Sequence, residues 1–267
     1  MEEIHNEPET KKVTGVQFSI MSPKEIRDRS VVEVTKHETF DKDIPYIKGL
    51  FDIRMGTTDM GKICGTCGQN NIKCPGHFGH IELARPVYNF QYINMVHKIL
   101  KCICFRCSKL LINKEDIQNQ NIFEKPPKVR WEEIRKESQK VLRCGQFNSN
   151  GCGCLQPNYK LEGMDGIRAT WKGISASSDD VTQMLKVEQV KDILERITDE
   201  DCRLLGFSEL WCRPEWLICI VLPVPPPTVR PSVKQDDSQR MEDDLTHKLS
   251  DIIKCNNTLK QKINSEA

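Results

Sequence analysis

The spacing of apolar residues along the chain predicts four helices. Apolar residues recur every three or four positions in segments 87–100, 128–142, 186–197 and 241–263, which is the period of a helix with one buried face. In the last segment this stripe turns four residues toward the core, namely Leu245, Leu249, Ile252 and Leu259. Acidic residues near its start and lysines near its end suit the helix dipole, so we expect a long helix there.

Local signals predict two helix starts. Ser22 is followed by Pro23 and then by Glu25, which is the pattern of a capping box with proline at the first helical position. Thr198 has the same capping character, and the short helix after it is expected to end at Gly206.

Short apolar or alternating runs predict strands at 13–20, 31–34 and 217–222. The proline-rich segment 223–231 lacks many N–H donors and is expected to be extended. Segment 40–62 contains glycines and no clear period, which indicates loops. The mixture predicts an α+β fold with irregular loops and no internal repeat.

Composition and charge exclude some classes of protein. No apolar run reaches the roughly 18 residues of a membrane-spanning helix, so no membrane partner is expected. The net charge is only +1, which argues against a surface that binds nucleic acid all over but allows a local basic face. Residues 1–12 are polar and resemble a flexible leader more than a secretion signal.

Thirteen cysteines are many for such a chain, and most of them occur in pairs between Cys64 and Cys154. An odd number without an export signal favours metal ligands over disulfides. The remaining four are expected to be small core residues because they stand among apolar neighbours: Cys202, Cys212, Cys219 and Cys255.

The first candidate metal site combines Cys64-x-x-Cys67 with Cys74 and His77. Two ligands separated by two residues fit a tight turn around one ion, and a second pair completes a tetrahedron around zinc. His80 competes with His77 for the fourth position.

The second candidate site combines Cys104-x-x-Cys107 with Cys144 and with either Cys152 or Cys154. The helix predicted at 128–142 can return the chain across the long gap. We favour Cys152, although the spare thiol of Cys154 leaves the ligand choice open.

Both sites have the composition of structural zinc sites. Cysteine-rich sites with four protein ligands are closed, whereas catalytic zinc keeps an open position for water. The sequence contains neither H-E-x-x-H nor H-x-E with P-C-x-x-C. We therefore expect two structural zinc ions and no catalytic residue, which disfavours a zinc-dependent hydrolase or deaminase.

Longer segments resemble the N-terminal region of the largest subunit of multisubunit DNA-dependent RNA polymerases, of the RNA polymerase II type. The resemblance covers most of residues 13–257 in the order of that family. It is carried by VQFSIMSPKEIR, GLFDIRMGTTD, CPGHFGHIELARPVYN, KCICFRCSKLL, GCGCLQP, LGFSELWCRPEWLICIVLPVPPPTVRPSV and SQRMEDDLTHKLSDIIKCNN.

This resemblance implies the clamp-core and clamp-head part of the polymerase, a mobile wall that closes over DNA and the RNA–DNA hybrid. The family's zinc ligands fall on Cys64, Cys67, Cys74 and His77 and on Cys104, Cys107, Cys144 and Cys152. The family's N-A-D-F-D-G-D loop, which holds catalytic Mg²⁺, is not in the sequence. The chain is therefore expected to be part of a nucleotidyltransferase without being catalytic alone.

The resemblance also implies a division of the chain and a set of partners. Residues 1–12 would be a leader, 13–222 the zinc-binding clamp region, and 223–267 a connector and long helix leading toward the lid and the active-centre half. The expected partners are the second-largest subunit, smaller subunits, the remainder of the largest subunit, the DNA template and the RNA transcript.

Basic residues near the second cysteine pair are candidates for phosphate contacts, with a solvated surface as the alternative: Lys98, Lys101, Arg106, Lys109 and Lys114. Arg230 and Arg240 are candidates for residues facing the polymerase cleft. The alternative for these two is pairing with acidic residues at the edge of the core.

Two questions stay open at this point. The segment between Cys107 and Cys144 is shorter than in the cellular RNA polymerase II subunit that the chain resembles, which is compatible with a viral relative. The expected location is therefore the nucleus for a cellular protein and a cytoplasmic virus factory or virion for a viral one. The alternative function is a free-standing zinc-binding adaptor, derived from the clamp, that binds nucleic acid or regulates a polymerase.

Overall fold

The computed structural model describes residues 12–16, 18–112, 121–146, 151–163, 166–173, 179–236 and 239–266. The helices in these ranges are Pro23–Arg29 (α1), Ile93–Leu100 (α2), Pro127–Ser138 (α3), Val187–Glu195 (α4), Asp199–Leu204 (α5) and Asp244–Glu266 (α6). The strands are Phe40–Asp41 (β1), Ile44–Pro45 (β2), Gly79–Tyr88 (β3), Asn158–Leu161 (β4), Ile167–Trp171 (β5), Val181–Met184 (β6), Ile218–Val224 (β7), Val233–Asp236 (β8) and Gln239–Met241 (β9). The expected mixture of helices and strands is confirmed.

The four helices predicted from apolar spacing are present as α2, α3, α4 and α6. Three of them begin later than predicted, whereas α3 begins one residue earlier and ends at Ser138 instead of residue 142. Both predicted helix starts are also confirmed. Ser22 Oγ accepts a hydrogen bond from the Glu25 N–H at 3.1 Å and forms a capping box. Thr198 Oγ1 accepts one from the Asp201 N–H at 3.2 Å, and Gly206 has a φ of +88° after α5.

The predicted strands had mixed outcomes. The strand at 217–222 corresponds to β7, whereas segment 31–34 makes only a single parallel bridge, from Glu33 to His80. The prediction of a strand at 13–20 is wrong, because the described residues there are not in a strand and Phe18 is 96% exposed. An alternating pattern forms a strand only where a neighbouring strand supplies hydrogen bonds.

A long antiparallel ladder between β3 and β7 joins the two main apolar cores. One end contributes Ile81 and Val224 to a core that also contains Leu50 and Met55. The other end contributes Ile218 to a larger core formed with α2, α4 and the sheet β4-β5-β6. The boundary predicted between the clamp region and the connector, at residues 222 and 223, falls inside β7. This one strand contributes residues to both cores.

Helix α6 packs on the first of these cores with a face different from the predicted one. Of the four residues expected to point inward, only Leu249 is buried, and Leu245 is 52% exposed. The buried face instead contains Thr246, Ile253 and Asn256. The helix is rotated because two of its polar side chains, described below, bind partners in the interior.

The four cysteines predicted to be small core residues follow that prediction in part. Cys202 is fully buried and Cys212 and Cys219 are partly buried, whereas Cys255 is exposed on the outer face of α6. Among the described helices, none has both the length and the apolar character needed to cross a bilayer.

Candidate metal centres

The turn at Cys64-x-x-Cys67 is a compact loop closed by backbone hydrogen bonds. The Cys64 N–H donates to Gln69 O at 2.9 Å, and the Gly68 N–H donates to Cys64 O at 3.0 Å. Gly68 has a φ of +67°, a left-handed conformation that costs glycine little. The Thr66 N–H points at Cys64 Sγ, 3.4 Å away, as backbone donors do around a metal-bound thiolate.

Cys74 and His77 complete the first ligand group (Cys64, Cys67, Cys74 and His77). Cys67 Sγ lies 3.6 Å from Cys74 Sγ, and Cys74 Sγ lies 3.8 Å from His77 Nε2. The four ligand atoms all lie within 4.8 Å of one another. The His77 N–H donates to Met55 O at 3.0 Å, which fixes this residue against the turn Ile53–Met55.

His80, the competing histidine, is engaged elsewhere. Its Nδ1 lies 2.7 Å from Ser30 Oγ, and its Nε2 lies 3.6 Å from a carboxylate oxygen of Glu82. Because His80 lies in β3, its imidazole is held by neighbours of that strand. The geometry therefore favours His77 as the fourth ligand.

The turn at Cys104-x-x-Cys107 repeats the first turn. The Cys104 N–H donates to Lys109 O at 2.8 Å, and the Ser108 N–H donates to Cys104 O at 2.9 Å. Ser108 stands at the position of Gly68 and has a φ of +59° although it is not glycine. The tight loop imposes this strained conformation on a buried serine.

Cys144 and Cys152 form an expanded version of the same turn. The Cys144 N–H donates to Cys154 O at 2.9 Å, and the Gly153 N–H donates to Cys144 O at 3.0 Å. Gly153, with a φ of +71°, takes the place of Gly68 and Ser108. Cys152 therefore corresponds to Cys67 and Cys107, whereas Cys154 contributes its carbonyl oxygen to the loop.

The second ligand group (Cys104, Cys107, Cys144 and Cys152) also converges on one point, with its sulfur atoms within 4.8 Å of one another. Cys104 Sγ lies 3.5 Å from Cys152 Sγ, and Cys107 Sγ lies 3.6 Å from Cys144 Sγ. Cys154 Sγ instead lies 3.4 Å from Leu155 O. The structure therefore gathers the ligand set favoured from the sequence.

The spacing of the sulfur atoms fits zinc and not disulfides. A tetrahedron with Zn–S bonds of about 2.3 Å has edges of about 3.8 Å. Disulfide bonds are about 2.05 Å long, and all thirteen cysteines are free thiols. Three or four thiolates with at most one imidazole are the donors of closed structural zinc sites.

The surroundings stabilise one thiolate in each group. Burial disfavours the charged form of Cys104, but the backbone N–H groups of Cys107 and Arg106 outweigh it and lower the pKa to about 7. The pKa of Cys64 is lowered in the same way, against burial, by backbone donors. Burial raises the pKa of Cys74 to about 11 and also raises that of Cys144. These thiols need a bound cation to ionise near neutral pH.

Gln156 supports the second ligand group, and this role of Gln156 was not predicted from the sequence. Its Nε2 lies 3.3 Å from Cys104 Sγ and 2.8 Å from Cys154 O, and its Oε1 accepts from the Phe105 N–H at 3.0 Å. The side chain thus ties both turns together. Its position two residues after Cys154 was the only sequence signal.

The basic residues near the second ligand group differ in how far their side chains are exposed to solvent. Arg106 and Lys109 are exposed within and just after the turn, and Lys98 and Lys101 are half-buried at the end of α2. Lys109, although exposed, also interacts with another group of the protein. Lys114 lies outside the described residues.

Arg230 lies in the interior of the protein. This position corrects the prediction that Arg230 faces the polymerase cleft. Its side chain is 0% exposed, donates to Pro225 O at 3.0 Å and to Thr246 Oγ1 at 3.3 Å, and also contacts Leu50 O. Burial lowers its pKa to about 10. The guanidinium cross-links the proline-rich segment, the loop before Phe51 and helix α6, and is not available to phosphates.

Arg240 follows the alternative given for it, because it pairs with acidic residues. Its guanidinium makes two hydrogen bonds to the Asp59 carboxylate, at 3.2 and 2.9 Å, and stacks 4.1 Å above the Phe40 ring. Asp43 lies 3.5 Å away. These contacts fasten the hairpin β8–β9 to the loop that precedes the first ligand group.

Comparison with known proteins gives one matching family and close relatives. The family model described as RNA polymerase Rpb1, domain 1, matches residues 10–267. The DNA-directed RNA polymerase II subunit RPB1 of Euplotoides octocarinatus is 40% identical over 263 residues, which are 95% of this chain and 55% of that protein. The DNA-directed RNA polymerase subunit Rpo1N of Methanocaldococcus jannaschii is 40% identical over 265 residues, 96% of this chain and 19% of that protein. The chain thus spans about half of one relative and about a fifth of the other.

Proposed function

The chain belongs to the RNA polymerase Rpb1, domain 1 family, and we propose from this premise that it forms the clamp of a DNA-directed RNA polymerase. In this role it would be the N-terminal part of the largest subunit and would close over DNA and the RNA–DNA hybrid. The observation that carries the proposal is the pair of closed ligand groups in a chain that matches this family over residues 10–267.

The two ligand groups would each hold one zinc ion as a structural cross-link. When bound, zinc joins turns that are distant in the sequence, such as Cys107 and Cys144, into one rigid unit. A wall that moves over nucleic acid has to move as one body. The β3–β7 ladder and the buried Arg230, which contacts Leu50 O, serve the same purpose, because both connect segments far apart in the chain.

Catalysis of RNA synthesis would depend on other parts of the enzyme. Phosphoryl transfer uses clustered carboxylates around metal ions, and Mg²⁺ would belong to the complete enzyme only. The proposed partners are therefore the rest of the largest subunit, the second-largest subunit and the smaller subunits. For a eukaryotic source the proposed location is the nucleus, and a viral source stays a prediction.

Nucleic acid would contact the surface near the second ligand group. Lys98, Lys101, Arg106 and Lys109 lie there, and contacts to phosphates need no sequence preference. Arg230 is left out of this proposal because it is buried, and Arg240 because Asp59 neutralises it.

Affinity purification from the native source tests the subunit proposal. A tagged chain is expected to elute in a large complex with the second-largest polymerase subunit and DNA-dependent RNA synthesis activity. Elution as a single polypeptide with two zinc ions and no polymerase subunits would instead favour the free-standing adaptor.

A salt titration tests the nucleic-acid surface. Replacing Lys98, Lys101, Arg106 and Lys109 by glutamine is expected to weaken binding of the assembled enzyme to a DNA–RNA scaffold and to lower the salt slope by about one per lost phosphate contact. Glutamine at four exposed lysines elsewhere (Lys24, Lys36, Lys186 and Lys248) is the control of equal charge. Equal effects of both variants would refute the assignment.

A further inference from the structure

A cleft of about 630 Å³ lies beside the second ligand group, and of its lining residues only Lys101 also belongs to the proposed nucleic-acid surface. Its floor is aliphatic, with Leu100, Leu111 and Val141 buried beneath it. Leu142 stands at its edge and is 66% exposed. The volume is in the range of pockets that enclose a side chain or a small ligand.

The charged groups that line the cleft all have the same sign. Lys101, Arg143 and Lys172 line it, and none of its described lining residues is an aspartate or glutamate. Arg143 donates to Gly153 O at 3.3 Å, and no ion pair to a described carboxylate is found for any of these three. The surplus positive charge would be compensated by an anionic ligand.

Three carboxylates of the described part of the chain, those of Glu133, Glu137 and Asp180, are engaged with other groups. On α3, Glu137 pairs with Lys140 at 2.7 Å and Glu133 with Lys125 at 2.8 Å. Asp180 accepts a hydrogen bond from the Gly173 N–H at 3.1 Å. Burial and the positive charge of Arg135 lower the pKa of Lys101, which agrees with a site that has more positive than negative charge.

We propose that this cleft is a docking site for an acidic peptide segment of a partner protein, with one large apolar side chain inserted between Lys101, Arg143 and Lys172. The aliphatic floor favours a peptide over nucleic acid. Nucleobases bind proteins chiefly by stacking on aromatic rings, whereas Leu100, Leu111 and Val141 form an aliphatic floor that suits a leucine or phenylalanine side chain leaving water. Acidic residues on either side of the anchor would pair with the three cations.

Fluorescence polarisation with the zinc-loaded chain tests this inference. The probe is a labelled peptide of glutamate and aspartate residues around a central phenylalanine and leucine. We expect saturable binding that falls at least tenfold when Lys101, Arg143 and Lys172 are replaced by glutamine. Glutamine at Lys128, Lys136 and Lys160, all exposed outside the cleft lining, is expected to change binding less than twofold.

Two further comparisons keep the test decisive if the triple variant folds poorly. Leu142→Glu changes an exposed residue and is expected to weaken the peptide through repulsion, at unchanged zinc content. A peptide with serine in place of its two apolar residues is expected to bind at least tenfold more weakly. Binding of both peptides alike would overturn the proposal.

A single-stranded oligonucleotide serves as the competing ligand. If it displaces the peptide and depends on the same three cations, the cleft is a nucleic-acid site and the peptide proposal fails. Absence of saturable peptide binding also refutes it. Neither result bears on assembly into a polymerase, which the purification experiment measures independently.

Discussion

The side-chain Oδ1 of Asn256 accepts a 2.8 Å hydrogen bond from the backbone N–H of Ala84, although the two residues are far apart in the sequence. The Asn256 Nδ2 donates to Glu82 O, also at 2.8 Å. The β3–β7 register is interrupted between Glu82 and Val87, so the ladder leaves backbone groups unpaired there. One amide on α6 thus satisfies a donor and an acceptor of an irregular strand.

Asn256→Ala is therefore expected to lower the free energy of unfolding by about 1–3 kcal/mol, because it leaves buried backbone groups without partners. Urea unfolding of the zinc-loaded protein measures this change. Asn264→Ala, at an exposed position of the same helix, is the control and is expected to have almost no effect. Equal midpoints for both variants would contradict this account of α6.

Gly76→Ala is expected to cost about 2–4 kcal/mol of stability, because it combines backbone strain with a steric clash. Gly76 has a φ of +82°, and an added Cβ would lie 2.7 Å from the Cβ of Pro226. Gly68→Ala separates the two effects, since φ is +67° there but nothing lies within 4 Å of the added atom. We expect only about 1–2 kcal/mol from Gly68→Ala. Thermal or urea unfolding would show the difference.

Cys152→Ser is expected to remove one of two zinc ions per chain, whereas Cys154→Ser keeps both. The reason is the turn geometry, in which Cys152 takes the position of Cys107 and Cys154 supplies a carbonyl oxygen. Metal content by elemental analysis distinguishes the variants. Loss of zinc from Cys154→Ser with retention in Cys152→Ser would reverse the ligand assignment.

His77→Ala is likewise expected to release the ion of the first ligand group, and His80→Ala to retain it. The His80 change removes the bond to Ser30 Oγ and is expected to cost about 1 kcal/mol of stability. The same elemental analysis, combined with urea unfolding, checks both expectations. A zinc content of two in His77→Ala would exclude His77 as a ligand.

The ion pair of Asp59 and Arg240 predicts a dependence of stability on pH. The hydrogen bonds from Arg240 lower the pKa of Asp59 from 3.8 to about 2. A carboxylate with a lowered pKa stabilises the folded state fully above its unfolded-state pKa and loses this contribution as pH falls toward the folded-state value. At pH 7 we expect Asp59→Asn to cost about 1–2 kcal/mol, after allowance for solvent screening.

The measurement is the difference in unfolding free energy between the original chain and Asp59→Asn. It should stay constant from pH 7 to about 5 and begin to shrink near pH 4. Taking the difference cancels the loss of zinc at low pH, which both proteins share. A difference that grows as pH falls would have the wrong sign for this ion pair.

Features that depend on neighbouring residues could be predicted from the sequence. The Ser22 and Thr198 caps, the apolar stripes of α2 and α4 and the paired cysteines all rest on contacts within a few residues. The closed character of both ligand groups followed from donor type and spacing alone, since two cysteines two residues apart already define half a tetrahedron.

What the sequence left open depends on contacts between distant segments. Cys152 and Cys154 are two residues apart and either could be the fourth ligand by spacing. The hydrogen bonds made by Gly153 and Cys144, together with the position of the Cys152 sulfur in the ligand group, distinguish them. Arg230 looks like an exposed cation after a proline run, yet carbonyl groups of Pro225 and Leu50 enclose it.

The helices, their caps and the chemistry of the metal ligands follow from the order of amino acids alone, because helix period, capping and ligand spacing act over a few residues. The buried face of α6 is instead set by packing between distant segments, because Asn256 has to reach the unpaired backbone groups of β3. Burial and pairing of polar groups are properties of the whole packed chain, since their free energy depends on partners that distant residues supply.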